Sequence, residues 1–150
     1  MIVVASDHGG LSLKSAICAV LKEREIVYRD LGTDNGDSVD YPDFAAKVAA
    51  QVSSGEAEQG VLICGTGIGI SIAANKYPGV RAALVHDPFT AKMSKEHNNA
   101  NILVMGGRVL SEVEARNLVT IWLDTAFEGG RHQKRLDKIT AIEENLRSSR

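Results

Sequence analysis

The chain is poor in the features that mark several protein classes. Its 150 residues hold two cysteines, Cys18 and Cys64, which form neither a disulfide framework nor a CxxC metal site. No apolar run approaches the roughly 20 residues of a membrane helix. The opening MIVVASDHGG lacks the basic segment and long apolar stretch of a secretory signal. Seventeen Lys and Arg against nineteen Asp and Glu leave a net charge of -2, so no basic field points to nucleic acid. Internal repeats, low-complexity tracts and Pro/Ser-rich linkers are missing too. These absences leave one domain over residues 1–150, in a reduced, cytoplasmic setting.

What is present is a regular alternation of short apolar runs with helical stripes. IVVAS (Ile2 to Ser6), EIVYRDLG, GVLIC, RAALV and NILVMGG read as five strands. Between the first two, Leu13, Ala16, Ile17, Val20 and Leu21 recur at helical spacing. Pro42 suits the first residue of a helix whose inner face is Ala45, Val48, Ala49 and Val52, with Gly55 beyond its end. Asp87 and Pro88 read as N-cap and N1 of another helix, and Ser111 with Glu114 as a capping box. Strands that are apolar on both faces and alternate with helices predict a parallel sheet covered on two sides. The expectation is a doubly wound, three-layer α/β sandwich with a five-stranded sheet and a C-terminal helix. Ligands of such sheets bind beyond the carboxyl ends of the strands. The polar residues there are Asp7 and His8, Cys64, His86 with Asp87, and Arg108.

The stretch GVLICGTGIGISIAANK carries the densest signal. Its glycines fit neither the G-x-G-x-x-G dinucleotide fingerprint nor a P-loop, which needs Gly-Lys-Ser/Thr. A tight strand-to-helix turn is the plain explanation. Closely spaced glycines also leave backbone N–H groups open to an anion, including a developing oxyanion. Cys18, inside a helical apolar stretch, reads as a small core residue. Cys64 sits where a strand enters the N–H-rich loop, a setting that favours thiolate, and so is a candidate nucleophile or base. His8 either caps its loop or donates to a phosphate. Arg131 and Arg135 share a helical face, as a solvated pair or as a fork for phosphate oxygens. His97 either finishes a helix or moves a proton.

Taken together, Asp7-His8-x-Gly10, Leu13-Lys14, Asp40-Tyr41-Pro42, ICGTGIGISIAANK, HNNANIL, GGRV and EGGRHQKR follow one another along nearly the whole chain. In that order they resemble the type B ribose-5-phosphate isomerases, whose wider family includes galactose-6-phosphate and allose-6-phosphate isomerases. The resemblance implies a Rossmann-like fold, no metal or cofactor, and a homodimer with active sites shared between subunits; pairing of dimers into tetramers stays open. It implies that Cys64 accepts the proton of an aldose–ketose isomerisation and that His97 aids opening of the sugar ring. Thr66 would hold an enediolate oxygen or assist at the ring oxygen. Asp7, His8 and Tyr41 would contact substrate, and Gly65, Gly67, Ile68 and Gly69 would surround its reacting end. Asn98 would bind a hydroxyl; Arg108, Arg131 and Arg135 would bind phosphate, a subset of them from the partner subunit. Some relatives use a glutamate in the glycine loop instead of the cysteine; Ile70 stands there in this chain. The expected substrate pair is ribose 5-phosphate and ribulose 5-phosphate. A six-carbon sugar phosphate is the nearest alternative, and a non-catalytic nucleotide- or sugar-phosphate-binding module the more distant one.

Overall fold

The computed structural model describes residues 1–149. Strands β1 (Ile2–Ser6), β2 (Tyr28–Asp30), β3 (Gln59–Cys64), β4 (Ala82–Leu84) and β5 (Ile102–Gly106) alternate with helices. The helices are α1 (Leu11–Glu23), α2 (Tyr41–Ser54), α3 (Ile68–Ala74), α4 (Pro88–Glu96), α5 (Glu112–Asp124) and α6 (Arg131–Ser148). All strand pairs are parallel, in the order β2-β1-β3-β5-β4. This is the expected α/β sandwich.

Successive side chains of a strand face opposite ways, so each strand feeds two cores. Ile2, Val4, Val61, Ile63, Leu103 and Met105 pack with α1, α4 and α5. Val3, Ala5, Leu62, Cys64, Ile102 and Val104 pack with α2 and α3. The single tryptophan, Trp122 of α5, is fully buried, and the Lys95 ammonium of α4 lies 4.3 Å from its ring centroid. Burial holds that ammonium below the usual lysine range.

Local chemistry sets the boundaries. Asp87 accepts from the Thr90 N–H and Ser111 from the Glu114 N–H, and both form the reciprocal capping box. At α2 the N-cap is Asp40, so Pro42 is the second helical residue, one place later than expected. The second strand is also shorter than the run EIVYRDLG. Glu25 takes positive φ (57°) and the Ile26 N–H still bonds to Leu21 O, so the chain is turning out of α1 until Val27. On α6 the apolar residues Leu136, Ile139, Ile142 and Leu146 recur at helical spacing as a stripe; Leu136 is buried, but Ile139, Ile142 and Leu146 are 48%, 60% and 59% exposed. That stripe is therefore no simple core contact within the chain.

Candidate active site

A parallel sheet gives every strand the same polarity, so the carboxyl ends of β1, β3 and β5 converge. There they enclose a cleft of about 420 Å³ lined by Asp7, Tyr41, Cys64, Gly65, Thr66, Ile68, Gly69 and Arg108. All eight are among the expected site residues. Cys64 is the last residue of β3 and is 5% exposed. Beyond it the loop folds back so that the Gly67 N–H donates to Cys64 Sγ at 3.2 Å. That return needs a left-handed backbone at Gly67 (φ 79°), which glycine adopts freely. No side chain caps α3, although the Ile68 N–H donates to Thr66 Oγ1 at 3.2 Å.

Neighbouring loops fix this arrangement. The Gly107 N–H donates to Cys64 O (2.8 Å) and the Arg108 N–H to Gly65 O (2.9 Å), tying the end of β5 to the glycine loop. Asp7 accepts from the Gly9 N–H (2.9 Å), and its own N–H donates to Ile63 O (3.2 Å). The Arg108 guanidinium lies over Gly65, where a Cβ would meet its Nη1 at 3.2 Å. The Tyr41 ring covers Gly69 so closely that any side chain there would displace it. His8 stands beside the cleft in the β1–α1 turn. Its Nδ1 accepts from the Val39 N–H at 3.2 Å, which in a neutral ring leaves Nε2 as an N–H donor.

The remaining expected residues lie elsewhere. Helix α4 starts at the carboxyl end of the sheet and runs back about 13 Å, at 1.5 Å per residue, to His97 at its C-cap. The Gly60 N–H, at the amino end of β3, donates to Asn101 O, four residues after His97. Cys64 pairs with Gly106 and Gly60 with Ile102, so the two levels are about four strand residues, or roughly 13 Å, apart. His97 and Cys64 of one chain therefore occupy opposite ends of the sheet. Asn98 shares the amino end, lining a second cleft with Arg81, Ala82 and Leu136. The Arg81 guanidinium clamps the turn by donating to Asn98 O and Asn99 O at 3.2 and 3.1 Å.

Arg131 and Arg135 stand exposed on the first turns of α6, which packs Leu136 against that same end. Among the described residues, no carboxylate lies within ion-pair reach of Arg108, Arg131 or Arg135. Three guanidinium groups with no ion-pair partner among the described residues are suited to an external anion. Asp87, at the carboxyl end of β4, is spent on its helix cap, as expected.

Two residues at the amino end went unnoticed in the sequence. His132 is 4% exposed and stacks on His97, with ring centroids 4.1 Å apart, and its Nε2 is 3.4 Å from Glu128 Oε2. Their signal was present in EGGRHQKR, where a histidine sits between the two arginines.

With this geometry in view, comparison with known proteins gives a consistent picture. A family described as Ribose/Galactose Isomerase matches residues 2–139. Ribose-5-phosphate isomerase B of Escherichia coli is 47% identical over 143 residues, covering 95% of this chain and 96% of that protein. The solved ribose-5-phosphate isomerase B of Clostridium thermocellum superposes with a TM-score of 0.94 at 52% identity, covering 97% and 98% of the two chains. That of Mycoplasma genitalium, solved with bound ribulose-5-phosphate, gives 0.92 at 46% identity and covers 95% of each chain.

Proposed function

Since this chain belongs to the ribose/galactose isomerase family, we propose that it interconverts D-ribose 5-phosphate and D-ribulose 5-phosphate through an enediolate. The observation that carries the reading is Cys64 Sγ, held at the end of β3 by the Gly67 N–H and facing a cleft with Thr66, Asp7 and Arg108. Relatives that match over nearly the full chain, those of Escherichia coli and Clostridium thermocellum among them, carry the ribose-5-phosphate isomerase B name, and others are named more broadly as sugar phosphate isomerases.

The reaction moves one proton between adjacent carbons and another between the oxygens they carry. Cys64 takes the proton from C2 of the open-chain aldose, and the electron pair shifts to leave an enediolate. The O2 hydroxyl proton passes to O1, and the same sulfur returns its proton to C1 as the C2–O bond becomes the carbonyl, giving the ketose. Backbone N–H groups of residues 65–69 and the Thr66 hydroxyl support the negative oxygen as it forms. Asp7 and Tyr41 hold hydroxyls. His8, Arg108, Arg131 and Arg135 grip the phosphate, whose distance from the reacting carbons lets its binding energy orient the chain.

Ring opening must come first, and it falls to His97. The opposite placement of Cys64 and His97 gives this reading a geometric form. A two-fold homodimer presents the amino end of one subunit, with His97, Asn98, Arg131 and Arg135, to the Cys64 cleft of the other, and completes two sites at once. The chain then acts as one isomerase domain in the cytoplasm.

The test is a substrate panel of ribose 5-phosphate, allose 6-phosphate and galactose 6-phosphate, run on wild type and Cys64→Ala. Preference for ribose 5-phosphate and loss of turnover in Cys64→Ala are expected. Preference for a six-carbon substrate would move the assignment within the family, and undiminished turnover in Cys64→Ala would remove Cys64 from the chemistry.

A further inference from the structure

The group around His97 has a construction that a helix end alone does not account for. The loop between α5 and α6 is fastened to the last turn of α4 by the Glu128 N–H, which donates to Glu96 O at 3.1 Å. Two glycines with left-handed backbone follow, Gly129 (φ 68°) and Gly130 (φ 54°), and reverse the chain into α6. Its second residue, His132, is thereby folded down onto His97. The rings are 16° from parallel with centroids 4.1 Å apart. Among the described residues, His132 Nε2 is buried with no hydrogen-bond partner, and Glu128 Oε2 lies 3.4 Å away.

His97, Glu128 and His132 offer ligand atoms within 4.8 Å of one another, which raises the question of a metal ion. The stack argues against one. A ring nitrogen binds metal along the lone pair in its own plane, and two near-parallel planes aim those lone pairs side by side instead of at a common point. The same stack is well suited to another task. It covers one face of the His97 ring, removes its freedom to turn about the Cβ–Cγ bond, and leaves its edge nitrogens free.

We propose that His132, backed by Glu128, is a positioning residue for His97. This rests on the reading of His97 as the ring-opening group. In that step the C1 hydroxyl loses a proton, the bond between C1 and the ring oxygen breaks, and the ring oxygen takes up a proton. A group assisting at either oxygen must come within about 2.6–3.2 Å along a fixed direction. A half-buried imidazole at a helix end has no such direction unless something sets it. His132 sets it from inside the protein, without touching substrate.

The test separates ring opening from proton transfer at carbon. Ribulose 5-phosphate is acyclic, so exchange of its C1 proton with D₂O, followed by NMR, needs Cys64 but no ring opening. In full-length His132→Ala, isomerisation of ribose 5-phosphate should fall by about ten- to a hundredfold, the scale of an ångström-level misplacement. C1 exchange should stay near wild type. His132→Phe keeps a ring face without the Glu128 contact and should recover most of the lost rate.

Unchanged isomerisation in His132→Ala, or a parallel loss of exchange, overturns the proposal. Should the alanine variant fail to fold, His132→Phe decides: most of the wild-type rate supports the stack, and a large loss refutes it. Cys64→Ala, run alongside, should lose exchange and isomerisation together. Exchange that survives in Cys64→Ala would defeat the functional reading instead, so the two failures are distinguishable.

Discussion

Gly106→Ala tests how tightly the end of β5 supports the reacting loop. Gly106 is buried, pairs with Cys64 across the sheet, and needs no left-handed backbone, so only space forbids a side chain. A Cβ there would lie 2.7 Å from both the carbonyl carbon and the oxygen of Thr66, and 3.0 Å from Val109 Cγ2. Ordinary contact needs about 3.5 Å, so one backbone must retreat by about 0.8 Å. The neighbour is main chain, not the tip of a flexible side chain, so the strain cannot be shed by a rotamer change. Overpacking of this kind costs about 1–3 kcal/mol. At about 2–4 °C per kcal/mol for a chain of this size, Tm should fall by about 2–12 °C.

The displaced loop is the one that holds Cys64 and the anion-facing N–H groups, so kcat should drop by up to about a hundredfold. KM should change less, because most of the phosphate grip lies elsewhere. Gly36→Ala is the matched control: nothing among the described residues lies within 4 Å of its Cβ, and Tm should hold or rise slightly. Thermal melts and ribose 5-phosphate turnover on both variants give the answer. A Gly106→Ala protein with wild-type Tm and kcat would refute the packing argument.

Two further expectations concern groups whose ionisation the fold has shifted. Burial pushes the Cys18 thiol up to about 11, with the Asp30 carboxylate adding to the effect and Lys14 opposing it. At pH 8 only about one molecule in a thousand then carries the Cys18 thiolate. Peptide mapping after iodoacetamide treatment should find Cys18 unmodified, with any activity loss tracking Cys64; rapid labelling of Cys18 would contradict its placement. The Asp87 carboxyl is held below its ordinary value of 3.8 by hydrogen bonds from the Thr90 N–H and hydroxyl. Glu114 is likewise held below 4.5 by Ser111. A lowered carboxyl stabilises fully above its unfolded value and loses that contribution as pH falls through its folded one. The Tm deficit of Asp87→Ala or Glu114→Ala should thus be complete at pH 7 and shrink in acid. A deficit independent of pH would exclude the charge.

Much of the fold was legible because its signals are local. The caps at Asp87 and Ser111 are side-chain chemistry within four residues, and Gly55 closes α2 where the apolar stripe ends. The sandwich followed from strands apolar on both faces. Tyr28–Asp30 was harder, since the apolar run begins while the chain is still leaving α1. For the site, the residues after β1, β3 and β5 gather in one cleft because a parallel sheet compels them to. The same rule separates His97 from Cys64: a helix leaving the carboxyl end must return its last residue to the amino end. That consequence was available from topology, whereas a list of motifs gives no direction. His132 was hidden for another reason. Its partner is 35 residues earlier in the sequence, and only the reversal at Gly129-Gly130 brings the rings together.

The placement of Trp122 has a use beyond packing. It is the chain's one tryptophan, and the Lys95 ammonium on its ring is two residues from His97. Indole emission responds to the field of a nearby charge, so a shift of the last turn of α4 by even a fraction of an ångström changes the light emitted. The Cys64 cleft, at the far end of the sheet, has no indole of its own. The molecule thus carries an optical reporter confined to one of its two ends. In the proposed dimer, where the His97 end of one subunit faces the Cys64 cleft of the other, a titration that alters tryptophan fluorescence records the His97 side of that shared site.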